Sequence, residues 1–236
     1  ITRARLTAPS IEEAVSRAMD RLDGAYSMVV MSPSKLIAAR DENGIRPLCY
    51  GRTRSGGYVV ASESCALDAV GATLERELKP GEILVFDRIG MRSITEHCGK
   101  RPQGTCIFEY IYFSRPDSKI FEQSCDKIRR KLGKQLAKEC PVDADIVISV
   151  PDSATTAALG YSQASGIRFE IGLLRNHYVG RTFIDPTQNV REQKVKLKFN
   201  PIEGVLKNKR VCVVEDSIVR GTTLKMSLLS LLSRTK

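Results

Sequence analysis

Apolar residues first recur at helical spacing, at Ile11, Ala14, Val15, Ala18 and Leu22. That pattern predicts a helix with one buried face, and Ser10 with Glu13 supplies an S-x-x-E capping box at its start. The period then shortens. AYSMVVM and KLIAA, separated by a turn at Pro33, read as strands, DENGIRP as a turn-rich corner, GYVVASES as another strand and CALDAV as a short helix. KPGEILVF and MRSITEH complete the set, joined through Gly90. Closely spaced strands with short turns predict antiparallel pairing, hence an α+β first half.

HCGKRPQGT, residues 97–105, is polar and carries Gly, Pro and Lys, which marks it as the candidate domain boundary. The rhythm changes after it. CIFEYIYF is apolar and aromatic, and Lys127 to Lys138 predicts a helix with Ile128, Leu132 and Leu136 on one side and basic residues on the other. DIVISV has strand length, PDS follows, and a helix of small residues ends at Gly166. FEIGLL is a further strand; a long basic loop, the strand VCVV and a helix through Leu224, Leu228 and Leu232 complete the chain. Strands alternating with helices predict a mainly parallel sheet covered on both faces. The expected domains are 1–98 and 106–236.

Composition narrows the class only modestly. With 236 residues, 42% hydrophobic and 27% charged, the chain suits one or two globular domains. No apolar run approaches the roughly 18 residues of a membrane helix, and ITRARLTAPS is no secretory signal. The chain opens on Ile1 and closes within a helical pattern, so it reads as an internal fragment of a longer protein. Seven cysteines without a C-x-x-C pair point to a reducing compartment, with Cys65 and Cys212 as small buried hydrophobes. The net charge of +10 gathers at Arg175, Arg181, Arg191, Lys194, Lys196, Lys198, Lys207, Lys209 and Arg210, opposed only by Asp185, Glu192 and Glu203 in that span. Such a stretch suits nucleic acid, a membrane surface, a phosphorylated small molecule or simply a solvated loop. Charge alone does not choose among them.

VCVVEDSIVRGTT, residues 211–223, is more informative. Ligands of open parallel sheets bind beyond the carboxyl ends of the strands, where Glu215 and Asp216 fall. The backbone N–H groups at the start of the next helix, with the hydroxyls of Ser217, Thr222 and Thr223, suit a phosphate. The P-loop and dinucleotide fingerprints are both absent. Carboxylates beside a phosphate suit ribose hydroxyls or a hydrated magnesium ion, or else they cap the helix. As neighbours on an extended strand they point to opposite faces and need not repel across one site. Ser153 ends the PDS turn at the same expected edge, as a metal or pyrophosphate contact or as an N-cap.

Four stretches, CIFEYIYFSRPDS (106–118), VPDS (150–153), NHYVGRTFIDP (176–186) and VEDSIVRGTT (214–223), resemble the glutamine phosphoribosylpyrophosphate amidotransferase (amidophosphoribosyltransferase) family. AARDENGIRPLCYG and YVVASESCALD resemble the later part of that family's glutaminase domain. The resemblance implies part of an N-terminal-nucleophile (αββα) glutaminase domain followed by an α/β type I phosphoribosyltransferase domain, truncated at its C-terminus. It implies the first committed step of de novo purine biosynthesis: glutamine, 5-phosphoribosyl 1-pyrophosphate (PRPP) and water give 5-phosphoribosylamine, glutamate and pyrophosphate. Carried over by motif, Ser153, Glu215 and Asp216 are the magnesium residues. Glu215, Asp216, Ser217, Arg220, Gly221, Thr222 and Thr223 bind PRPP, and Arg175, Tyr178, Gly180 and Arg181 belong to a closing loop.

Cys106 matches one ligand of the iron–sulfur cluster that some members hold, and equally suits a structural role. Glu215 departs from the Asp-Asp pair of many members, and His177 stands where an arginine is common. The family's nucleophile is the mature N-terminal cysteine, which Ile1 is not, so none of the seven cysteines is assigned that role. The implied partners are glutamine, PRPP, purine nucleotide inhibitors and further copies in a homotetramer, without nucleic acid or membrane, in the cytoplasm or an organellar stroma. The alternatives are a nucleobase-salvage phosphoribosyltransferase and a ligand-sensing regulator of the same fold.

Overall fold

The computed structural model describes residues 1–176 and 199–217. Two compact units divide the chain, Ile1–Cys125 and Asp126–Lys236.

In the first unit a short helix α1 (Thr2–Arg5) precedes α2 (Ile11–Met19). The Ser10 hydroxyl accepts the Glu13 N–H at 3.2 Å, the expected cap. Ala14, Val15, Ala18 and Met19 form the buried face, whereas Leu22 lies beyond the helix and is exposed. Strands β1 (Ser27–Met31), β2 (Leu36–Arg40), β3 (Cys49–Thr53) and β4 (Tyr58–Ala61) follow, then α3 (Ser64–Ala69), β5 (Ala72–Glu77), β6 (Ile83–Phe86) and β7 (Met91–Ile94). They build two antiparallel sheets, ordered β1-β2-β6-β7 and β4-β3-β5.

The first sheet is a middle layer. On one face Ile37, Ile83 and Val85 pack with Val15 and Met19 of α2. On the other, Ala38, Leu84 and Phe86 pack with Leu48, Tyr50 and Leu78. Burial on both faces explains why ILVF is continuously apolar instead of alternating. The hydrophobic pattern did not reveal β3 and β5, CYGRT and ATLERE; in β5 the polar residues Arg76 and Glu77 reach buried partners. Arg76 of β5 reaches Glu82, and Glu77 lies 3.9 Å from the buried Arg40.

The unit boundary falls later than residues 97–105. Gly104 N–H donates to Asn43 O (2.8 Å), Cys106 N–H to Ile45 O (3.2 Å) and Lys119 N–H to Ser64 Oγ (2.8 Å), so 104–120 is tied to the first unit. Within CIFEYIYF lies a π-helix, Glu109–Phe113, and a small hairpin of β8 (Lys119–Ile120) and β9 (Gln123–Ser124) ends the unit. Polar character marked a surface crossing here and not a division between compact bodies.

The second unit contains α4 (Cys125–Glu139), β10 (Ile146–Ser149), α5 (Thr155–Ser165), β11 (Leu173–Arg175), β12 (Phe199–Pro201), α6 (Glu203–Leu206) and β13 (Val211–Val214). β10 pairs with β13 in parallel, and a parallel bridge joins Val147 to Phe169. Among the described residues of this unit, only β11 and β12 pair antiparallel. The expected FEIGLL strand is interrupted at Gly172, where an added β-carbon would stand 2.7 Å from Ile148 Cγ2. The side of α4 that is buried also differs from the expectation. Cys125, Arg129, Gly133 and Ala137 are buried, while Leu132 and Leu136 are exposed. Close approach to another helix selects small residues, so the largest apolar side chains lie beside that seam and not in it. Cys212 is half-buried and Cys65 buried. The helix expected through Leu224, Leu228 and Leu232 lies outside the described residues.

Candidate functional site

β10 and β13 leave the sheet together. Ser149 lies opposite Val214, and the Val150 N–H donates to Val214 O at 3.0 Å. The ladder therefore releases residues 151–153 and 215–217 at one carboxyl edge, where an open parallel sheet places its ligand. The apolar run IVIS, buried throughout, seats β10 so that its continuation emerges there.

Glu215 and Asp216 follow β13 directly. Glu215 Oε2 and Asp216 Oδ2 are buried, with no hydrogen-bond partner among the described residues. The Ser217 hydroxyl donates to the other Asp216 oxygen, Oδ1, at 3.0 Å. Burial, and secondly the charge of Asp216, push the Glu215 carboxyl up to about 7. The expectation that strand alternation would spare the two acids mutual repulsion is thus not met. The chain turns immediately after Val214, and in a desolvated corner two neighbouring carboxylates still interact.

Ser153 lies half-buried in the turn between β10 and α5. It does not cap the helix: Ala154 holds the N-cap position, and no side chain caps that end. The acid beside Ser153 is the residue that the sequence reading passed over. Asp152 Oδ2 accepts a hydrogen bond from Arg175 Nη1 at 2.6 Å, joining the β10 edge to the end of β11. An acid two residues past the apolar run DIVISV was the available signal.

Cys106 sits elsewhere, in the first unit, half-buried, with its N–H bonded to Ile45 O and its carbonyl accepting from Glu109 N–H. Among the described residues no three His, Cys, Asp or Glu side chains gather as a metal cage. A hydrated magnesium ion needs less, because one or two carboxylates plus substrate oxygens suffice. The orphaned, mutually repelling oxygens of Glu215 and Asp216 fit that requirement. Tyr178, Gly180, Arg181, Arg220, Gly221, Thr222 and Thr223, and likewise His177, lie outside the described residues. No helix among the described residues is long and apolar enough to cross a membrane.

The first unit carries a recognised module: residues 4–69 match the glutamine amidotransferase domain. The chain is 53% identical over 206 residues to amidophosphoribosyltransferase 2, chloroplastic, of Arabidopsis thaliana, covering 87% of this chain and 36% of that protein. It is 48% identical over 214 residues to the Bacillus subtilis amidophosphoribosyltransferase, covering 91% of this chain and 44% of that protein. The B. subtilis glutamine PRPP amidotransferase complexed with ADP and GMP superposes with a TM-score of 0.86 at 45% identity, covering 97% of this chain and 50% of that one. Over the matched residues the chain is similar to amidophosphoribosyltransferases. It spans between about a third and a half of these relatives' lengths.

Proposed function

We propose that the protein containing this chain is an amidophosphoribosyltransferase, making 5-phosphoribosylamine, glutamate and pyrophosphate from glutamine, PRPP and water. The first unit belongs to its glutaminase domain, and the second to a type I phosphoribosyltransferase domain that binds PRPP. The observation that carries this reading is the pair of orphaned acids at the carboxyl edge of a parallel sheet.

The chemistry follows from placement. Ammonia released from glutamine attacks C1 of the ribose, and the C1–O bond breaks with its electrons passing to pyrophosphate. Glu215 and Asp216 accept hydrogen bonds from the ribose hydroxyls, or would hold magnesium with Ser153, fixing the ring as C1 becomes cationic. Magnesium bound there supplies charge neutralisation for the departing pyrophosphate. Ser217, with Arg220, Gly221, Thr222 and Thr223, binds the 5-phosphate. Arg175 begins the segment, with Tyr178, Gly180 and Arg181, that excludes water from the activated sugar. Cys106, whose backbone anchors residues 104–120 to the first unit, is either a structural cysteine or one ligand of an iron–sulfur cluster.

Purine nucleotides are the proposed inhibitors and a homotetramer the proposed assembly, in the cytoplasm or an organellar stroma. The test is 5-phosphoribosylamine formation by the full-length protein with glutamine or with ammonia, in magnesium. Glu215→Gln and Asp216→Asn are expected to lower both activities together, since they act after ammonia is available. Pyrophosphate release driven by a free nucleobase, and not by ammonia, would replace this reading with the salvage enzyme.

A further inference from the structure

Three carboxylates leave the carboxyl edge of the second unit, and they are not equivalent. Glu215 Oε2 and Asp216 Oδ2 are buried without hydrogen-bond partners among the described residues. Asp152, more than half exposed, has a guanidinium: Arg175 Nη1 stands 2.6 Å from its Oδ2. The cation at this edge is therefore spent on the acid that water could solvate most easily. The buried acid oxygens, which need neutralising most, have none among the described residues.

We infer that Asp152 is a built-in stand-in for the ligand's anion, a latch that holds Arg175 until a metal-bound diphosphate displaces it. The latch rests on the proposed PRPP site and adds a specificity rule to it. A ligand that brings both an anion and a cation exchanges partners in one step: its diphosphate takes Arg175, and its cation takes Glu215 and Asp216. Asp152 is then released to water, a small loss for an exposed carboxylate. An anion without a cation must break the same ion pair yet leaves the buried acids unneutralised. The edge thus selects metal–diphosphate complexes over free phosphates.

An exposed ion pair contributes little, so the latch is weak and reversible. Asp152→Asn is expected to tighten binding by about two- to fivefold, the range for such pairs. The decisive comparison is a double-mutant cycle on the full-length protein, titrating PRPP and, separately, inorganic pyrophosphate, each with magnesium. The latch requires D152N to tighten binding when Arg175 is present and to have no effect in the R175Q background. Equal tightening in both backgrounds would mean that Asp152 acts as a general negative charge, and no tightening in either would mean that it does not compete; both overturn the latch. If PRPP fails to bind the parent protein while pyrophosphate still shows the Arg175-dependent gain, the PRPP reading falls and the latch stands. Failure of both ligands to bind overturns both.

Discussion

Gly133 of α4 and Gly160 of α5 lie where the two helices press backbone against backbone. A β-carbon on Gly133 would stand 1.8 Å from Ala157 O, and one on Gly160 would stand 2.2 Å from Arg130 O. Backbone atoms on both sides leave no flexible side chain to yield. Helix propensity alone favours alanine by up to about 1 kcal/mol, but overpacking costs about 1–3 kcal/mol or more. Gly133→Ala and Gly160→Ala should each lower the urea midpoint of the second unit. Gly204→Ala in α6, with nothing within 4 Å of its added carbon, should not lower it. Unchanged midpoints for the first two would mean that the helices are not held at this distance.

The same seam shows what the sequence made legible. Strands buried on both faces, such as ILVF and IVIS, were readable because nothing in them competes with an apolar reading. The Ser10 cap was readable because capping is local chemistry. The buried side of α4 was not, since helix contact there depends on Gly133 and Gly160, 27 positions apart, each meeting backbone of the other helix, and the apolar period points to Leu132 and Leu136 instead. β5 was hidden for a related reason: Arg76 and Glu77 face a polar network that tertiary structure alone completes. At the candidate site the acids of VVEDS could be read as ligands, but the partner of Arg175 could not. A contact 23 residues apart across a sheet edge leaves no periodic trace.

Arg40 holds the first unit's core through its backbone contacts. Its guanidinium, 3% exposed, donates to the carbonyls of Arg46 (2.8 Å), Gly44 (2.9 Å) and Leu78. Arg40→Met keeps the apolar bulk but strips three carbonyls of donors and leaves Glu77 without its nearby cation. A loss of about 3–5 kcal/mol is expected, as for a broken buried charge pair. Arg40→Lys should recover little, because an ammonium lacks the planar fork that reaches three diverging acceptors. Chemical denaturation checks this, and a lysine variant as stable as the parent would contradict it.

Glu82 makes the first unit sensitive to acid. Burial pushes its carboxyl up, but bonds from Arg76, Ser93 Oγ and the Lys79 N–H outweigh that and hold it below its ordinary value. A carboxylate depressed in the folded state stabilises above its unfolded pKa, about 4.3, and that contribution fades as pH falls through the folded value. Glu82→Gln should therefore be well below the parent in stability at pH 7, with the gap closing under pH 4. Urea midpoints across that range decide it; a gap independent of pH would assign the loss to packing alone.

Glu215 should behave in the opposite sense. Its folded carboxyl lies at about 7, above the ordinary value near 4.3, so the folded state binds the extra proton between those limits. Stability contributed by that proton is complete below about 4.3 and is lost as pH rises through about 7. Asp216→Asn removes the repelling charge, though not the burial, so it should shift that loss to lower pH without abolishing it. Magnesium adds a second signature, because a cation binds the ionised acids: it should raise the melting temperature more at pH 8 than at pH 5. In the Glu215→Gln variant the magnesium effect should shrink and lose most of its pH dependence. Melting curves with and without magnesium, in parent and variants, test this directly, and a magnesium shift equal at both pH values would remove Glu215 from the cation site.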